Sequence, residues 1–209
     1  MRTITRLSAR FFCALVLAGG AHALSAHAEA IVGQASPDFS LADAQGNQHE
    51  LSAQKGKYVV LEWFNPDCPF VRKHYDSGNM QALQKTSTEK GAVWFSINSS
   101  ASGKQGNYPS DALEQRLRAE GSAASAILKD EDGAVGRLYG AKSTPHVFVV
   151  NPDGVLIYAG AIDDKASVDP EDVKTAKNYV RQALDEAMAG KPVSEPSMKS
   201  YGCSVKYAD

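Results

Sequence analysis

Tyr58-Val59-Val60-Leu61-Glu62-Trp63-Phe64-Asn65-Pro66-Asp67-Cys68-Pro69-Phe70-Val71-Arg72 is the stretch on which the fold turns. Tyr58 to Trp63 is a nearly continuous apolar run, the pattern of a central strand buried on both faces. Pro69 suits the first turn of a helix, where its missing N–H costs nothing. Cys68 therefore ends a strand and opens a helix. Unpaired backbone N–H groups and the helix dipole favour a thiolate there, and the thiolate is the nucleophile. Arg72 and Lys73, within the first turn or so, are expected to lower the thiol pKa further, while Asp67 acts against this. An ordinary buried cysteine is a small inert hydrophobe. The polar neighbours Asn65 and Asp67 and the following proline point instead to a functional thiol.

Outward from this stretch the chain alternates strands and helices. Pro37 to Leu41 and Gln48 to Leu51, separated by Asp43-Ala44-Gln45-Gly46-Asn47, predict a short N-terminal hairpin. The helix opened by Cys68 should reach about Tyr75, break at Asp76-Ser77-Gly78-Asn79, and resume from Met80 to about Lys90. Ala92 to Ile97 reads as the next strand, and 98–109 as a long polar loop. Ser110-Asp111 begins a helix with Ala112, Leu113, Leu117 and Arg118 on its packed side. Ala126-Ile127-Leu128 is a short strand, and Asp130 should cap a helix reaching Tyr139, closed by Gly140. His146 to Val150 and Val155 to Gly160, joined by Asn151-Pro152-Asp153-Gly154, form an antiparallel hairpin. A final amphipathic helix is predicted over Val173–Met188, with Ala176, Val180, Ala183, Leu184 and Ala187 at helical spacing. A tail holding Cys203 follows. The order is that of an α/β domain.

At 209 residues, 43% hydrophobic and 22% charged, the chain can bury a full core without stapling. Arg2, Arg6 and Arg10 precede the short apolar run Phe11 to Ala18, and small residues lead to Ala26-His27-Ala28. This is the pattern of a cleavable secretory signal over residues 1–28, too short to span a bilayer. Residues 29–209 are then the mature domain, expected in the periplasm or outside the cell, with no membrane span. The net charge of −2 becomes more acidic once those arginines are removed, giving no electrostatic reason to seek nucleic acid. Disulfides persist outside the cytosol. Cys13 would leave with the signal, so Cys68 and Cys203 remain.

Two segments carry a family resemblance. Val59 to Arg72 resembles the active-site segment of thioredoxin-fold proteins, with Cys68 at the nucleophile position. Tyr139-Gly140-Ala141-Lys142-Ser143-Thr144-Pro145-His146-Val147-Phe148-Val149-Val150-Asn151-Pro152-Asp153-Gly154 resembles their cis-proline loop and hairpin. With Val32 to Phe39 at the front and Gly202-Cys203-Ser204-Val205-Lys206 at the end, the chain is most similar to the peroxiredoxin-like redoxins. The resemblance implies a thioredoxin fold, a central mixed sheet flanked by helices, with an N-terminal hairpin extension and a C-terminal tail. It implies a thiol-disulfide oxidoreductase or thiol-dependent peroxidase-like antioxidant protein acting through Cys68. Pro145 would line the substrate groove, Thr144 and His146 would border it, and Arg72 would favour the thiolate. Glu62 falls where thioredoxins keep a buried acid that assists proton transfer.

The chain also departs from the pattern. Val71 stands at the second cysteine of a thioredoxin C-x-x-C, so the local disulfide is excluded. Asn65 stands where peroxiredoxins keep Thr or Ser, and Thr144-Pro145 where they place an arginine, which puts ready peroxidase activity in doubt. Cys203 could resolve an oxidised Cys68, form a structural staple with it, or remain free on the tail. The expected partners are a protein disulfide or hydroperoxide and a separate thiol reductant. A redox-inactive binding module is one competing reading. The other is a copper or zinc carrier using Cys68 with His74 and His146, which lacks the second nearby cysteine such sites use. No metal or other cofactor is expected.

Overall fold

The computed structural model describes residues 29–209; the segment expected to be a secretory signal, with Cys13, lies outside the described residues. The sheet is built on β3 (Val59–Trp63), all five residues of which are buried. Parallel to it runs β4 (Val93–Asn98), and parallel to β4 runs β5 (Ala126–Lys129). On the other side β7 (His146–Val150) is antiparallel to β3, and β8 (Leu156–Gly160) is antiparallel to β7. The order β5-β4-β3-β7-β8 is the thioredoxin sheet. The expected N-terminal hairpin is β1 (Ser40–Ala42) paired with β2 (Gln48–Glu50).

Alternation along β3 divides the core. Val60 and Phe64 face one cluster, with Val71, Trp94, Leu113, Leu117, Val180 and Leu184. Val59, Leu61 and Trp63 face the other, with Phe95, Tyr139 and Phe148. Full burial of each large apolar side chain stabilises by roughly 1.5–3 kcal/mol, so both faces are anchored at the centre of the sheet. Cys68 belongs to the first cluster.

Helix α1 (Pro69–Asp76) breaks at Ser77-Gly78 as expected and continues as α2 (Asn79–Glu89). In α3 (Ser110–Ala119) Leu113 and Leu117 are buried, while Ala112 and Arg118 are exposed, because the packed stripe is narrower than their inclusion supposed. Helix α4 is shorter than predicted, Ala134–Leu138, with Gly133 in the left-handed conformation at its N-cap. Asp130 still serves its start, accepting the N–H groups of Val135 at 3.1 Å and Gly136 at 2.8 Å. The final helix α5 is Tyr179–Met188 and excludes Ala176, because Pro170–Lys174 forms a separate 3-10 turn. Asn178 caps α5, its side chain accepting from Arg181 N–H. Among the described residues no helix is long and apolar enough to cross a membrane.

After α5 the tail crosses back over the sheet. Met198 N–H donates to Ala159 O at 3.1 Å, passing so close to Gly160 that a Cβ there would stand 2.2 Å from Met198 O. The tail ends by pairing β9 (Cys203–Ser204) antiparallel with β6 (Ser143–Thr144). β6 leads directly into the cis Thr144–Pro145 bond and β7.

Candidate functional site

Cys68 is the N-cap of α1, in extended conformation, with Pro69 at the first helical position. It is fully buried, and its thiol donates to the Thr144 carbonyl at 3.1 Å. Thr144 is paired with Cys203 across β6 and β9, and Cys203 packs against the cluster containing Cys68. Residues distant in sequence thus meet at one point: Cys68, Thr144-Pro145 and Cys203. Both cysteines are free thiols.

Gly202 makes this approach possible. Its φ is +122°, and a Cβ would stand 2.1 Å from the Thr144 carbonyl oxygen. A side chain cannot be accommodated against backbone at that distance, so the tail would have to lift.

The two sulfurs titrate as a pair. Burial pushes the Cys68 thiol up, but hydrogen bonds from the Cys203 thiol and the Thr144 side chain more than offset it, and the net shift is downward. The Thr144 hydroxyl is buried and has no hydrogen-bond partner among the described residues while Cys68 is a thiol, which leaves it free to serve the thiolate. The Val71 N–H is already bonded to the Cys68 carbonyl at 3.0 Å and adds only its dipole. Cys203 moves the other way, pushed up to about 11 by burial and by the Cys68 sulfur beside it. Of the two thiols, Cys68 is the one favoured to ionise first.

The loop before Cys68 is clamped by groups with no local signal in the sequence. Arg116 donates to the Asp67 carboxylate and to Pro66 O, both at 2.8 Å, and Tyr108 OH donates to Asp67 at 2.8 Å. Burial works against ionisation of Asp67, but these partners, led by Arg116, hold its pKa below the usual carboxylate range. Its charge is balanced locally, which removes the objection that Asp67 opposes the thiolate. Asn65 is equally committed: its amide donates to Gln105 O at 3.1 Å and its carbonyl accepts from Asp67 N–H at 2.9 Å.

Other expected site residues have different surroundings. The Arg72 guanidinium is bound by Asp76 and by Glu120, which holds it away from the role of counter-charge to Cys68. Glu62 is fully buried and accepts from Tyr75, Gln84, Trp94 and Ser96, none of them at the sulfur. Burial raises its pKa despite those four donors. His74 meets Asn79 at 2.9 Å and Tyr201 at 3.1 Å, whereas the His146 ring lies on Phe148 with centroids 4.4 Å apart. Both ring nitrogens of His74 are thus engaged away from Cys68, and His146 Nδ1 accepts from Lys142 N–H at 3.4 Å. Among the described residues no group of His, Cys, Asp and Glu is placed to hold a metal.

The AhpC/TSA family matches residues 32–159, more than half of the chain. The chain belongs to the AhpC/TSA family. The thioredoxin-like protein YneN of Bacillus subtilis is 29% identical over 138 residues, covering 64% of this chain and 74% of YneN. A structure of an uncharacterized conserved protein from Geobacillus kaustophilus is 28% identical with a TM-score of 0.70, covering 85% of this chain and 93% of that one. A hypothetical protein from Sinorhizobium meliloti, SMc02350, is 27% identical with a TM-score of 0.67, covering 85% of this chain and 95% of that one. At 18–23% identity, structures described as thioredoxin and thiol:disulfide interchange proteins share the fold. The chain is thus a thioredoxin-fold member of the AhpC/TSA family.

Proposed function

We propose that this protein is an exported dithiol oxidoreductase in which Cys68 attacks and Cys203 resolves. One observation carries the reading: the tail is paired in register so that Cys203 lies opposite Thr144, whose carbonyl accepts the Cys68 thiol at 3.1 Å. With a disulfide substrate, the Cys68 thiolate attacks one sulfur and releases the other as a thiolate. Cys203, deprotonated as it attacks, then displaces the remaining substrate sulfur and forms the Cys68–Cys203 disulfide. A separate thiol reductant returns the pair to two thiols, supplying two electrons and two protons.

A disulfide fits the site better than a hydroperoxide. Orienting a peroxide needs a free polar donor ahead of the cysteine, and the Asn65 side chain is consumed by Gln105 and Asp67. A peroxide would still convert Cys68 to a sulfenic acid with release of the alcohol or water. Condensation with Cys203 would then expel water and give the same disulfide. Thr144 and Pro145 border the groove in both cases, and no cofactor takes part.

The test is mass spectrometry of the reduced protein after one equivalent of oxidised glutathione, and separately of hydrogen peroxide. The expected product has lost two hydrogens and yields a peptide linking Cys68 to Cys203, faster with glutathione disulfide. A stable Cys68 adduct with Cys203 still alkylatable would refute the resolving role.

A further inference from the structure

Two residues before Cys203, the tail is held by a polar cluster that the chemistry above does not use. Tyr201 OH donates to the Asp163 carboxylate at 2.5 Å and lies 3.1 Å from His74 Nε2 and 3.4 Å from Lys73 Nζ. Lys73 Nζ also donates to Lys165 O at 2.6 Å and lies 3.1 Å from the second Asp163 oxygen. The side chains of Lys73 and Asp163 are 0% and 2% exposed. The Tyr201 ring packs beside Phe70, with centroids 5.9 Å apart, and Lys73 Nζ lies 5.4 Å from its centre.

We propose that the Lys73–Asp163–Tyr201 cluster is a positioning device that sets the register of the tail, so that Cys203 and no neighbouring residue faces Cys68. The proposal rests on the reading of Cys203 as the partner of Cys68. Its first support is economy of structure: α1 carries Cys68 at its N-cap and Lys73 in its body, so one rigid element holds both the nucleophile and the clasp. From Tyr201 to Cys203 the chain has only two residues, a reach of about 7 Å, with no slack to absorb a shift. Gly202, between them, is seated against Thr144 O.

The second support is the chemistry of the clasp. A tail that needed only to be held down could be held by the ring alone, since an apolar contact at this site would avoid the cost of desolvating two charges. A buried ion pair that is completed by one hydroxyl penalises every other register. Sliding the tail by two residues would bring Lys199 or Cys203 to Asp163 and leave the buried charges without that hydroxyl.

Tyr201→Phe removes the hydroxyl and keeps the ring, and Asp163→Asn removes the acceptor charge. Each is compared with the parent in oxidised and reduced glutathione, with circular dichroism confirming the fold. The expected result is an effective concentration of Cys203 at Cys68 lower by about tenfold in Tyr201→Phe, with the Cys68–glutathione mixed disulfide accumulating in its place. Thiol alkylation of the reduced proteins reads the clasp independently of any redox chemistry. Cys68, buried in the parent, should be labelled several-fold faster in a folded Tyr201→Phe. Unchanged labelling and an unchanged disulfide equilibrium in a folded Tyr201→Phe would overturn the proposal, whatever Asp163→Asn does. If the parent forms no Cys68–Cys203 disulfide, the proposed function fails, and the alkylation comparison still decides the clasp.

Discussion

Cys68 loses its proton before Cys203 because donors converge on one sulfur and burial is left to act on the other. The thiolate therefore depends on the Cys203 S–H. Cys203→Ala should raise the Cys68 pKa toward or above the ordinary value of ~8.5, since burial remains and the donor is gone. Cys203→Ser, which keeps an O–H donor, should retain most of the depression while abolishing the disulfide. Alkylation rate against pH measures both, and equal Cys68 midpoints in the two variants would contradict donation from position 203 to the Cys68 sulfur. Arg72→Met, by contrast, should leave the midpoint in place and cost less than about 1 kcal/mol, because Arg72 serves the half-exposed pairs with Asp76 and Glu120. The placement of Cys68, Thr144 and Pro145 was legible in the sequence because each sits at a local signal, a strand-to-helix junction or a proline opening a hairpin. Of the partners of Arg72, Asp76 stands four residues on along the same helix, but Glu120 caps the end of a different helix and no spacing points to it.

At the scale of elements, the short pairing of β6 with β9 does what the missing local cysteine cannot. Two residue pairs are a weak ladder by themselves, so the seat depends on flanking contacts. Upstream there is the Tyr201 clasp. Downstream Ala101 N–H donates to Lys206 O at 2.8 Å, and Tyr207 OH donates to Ala141 O at 2.8 Å. Gly202→Ala should break the seat without breaking the fold. A Cβ pressed on Thr144 O at positive φ should cost about 1 kcal/mol or more and lift β9. The yield of the Cys68–Cys203 disulfide in a glutathione buffer should fall while the far-UV spectrum is unchanged; an unchanged yield would show that β9 pairing does not place Cys203. The strands and α1, α2 and α3 were readable from apolar runs, proline and glycine. The start of α5 was misplaced because Ala176 fits the apolar stripe, although Asn178, an N-cap type of residue, was the better signal. The meeting of β6 and β9 had no signal of this kind, since pairing between segments far apart in sequence leaves no period.

Over the whole molecule, the buried ionisable groups give stability a pH dependence whose sign follows from two residues on different faces of α1 and the sheet. His74 and His146 are each lowered from 6.5 to about 4, chiefly by burial; Lys73 and Lys142 add to the shift, and Asp163 opposes it at His74. Between those values the unfolded chain binds more protons than the folded one. Stability is therefore full above 6.5 and is lost as the pH falls toward 4. Well inside that window each histidine costs about 1.4 kcal/mol per pH unit. Glu62 has the opposite sign: its raised pKa makes the folded state hold its proton, so its contribution is present below 4.5 and declines as the pH rises. Burial raises Asp130 as well, so it acts with Glu62, but the two histidines titrate across the whole window from 6.5 to about 4, and the urea midpoint should fall between about pH 7 and pH 5. His146→Phe keeps an aromatic ring on Phe148 and should remove about half of that fall, whereas Glu62→Gln should steepen it, because the opposing group is gone. A midpoint that is level across this range in the parent, or a fall that His146→Phe leaves intact, would show that the buried histidines are not the source.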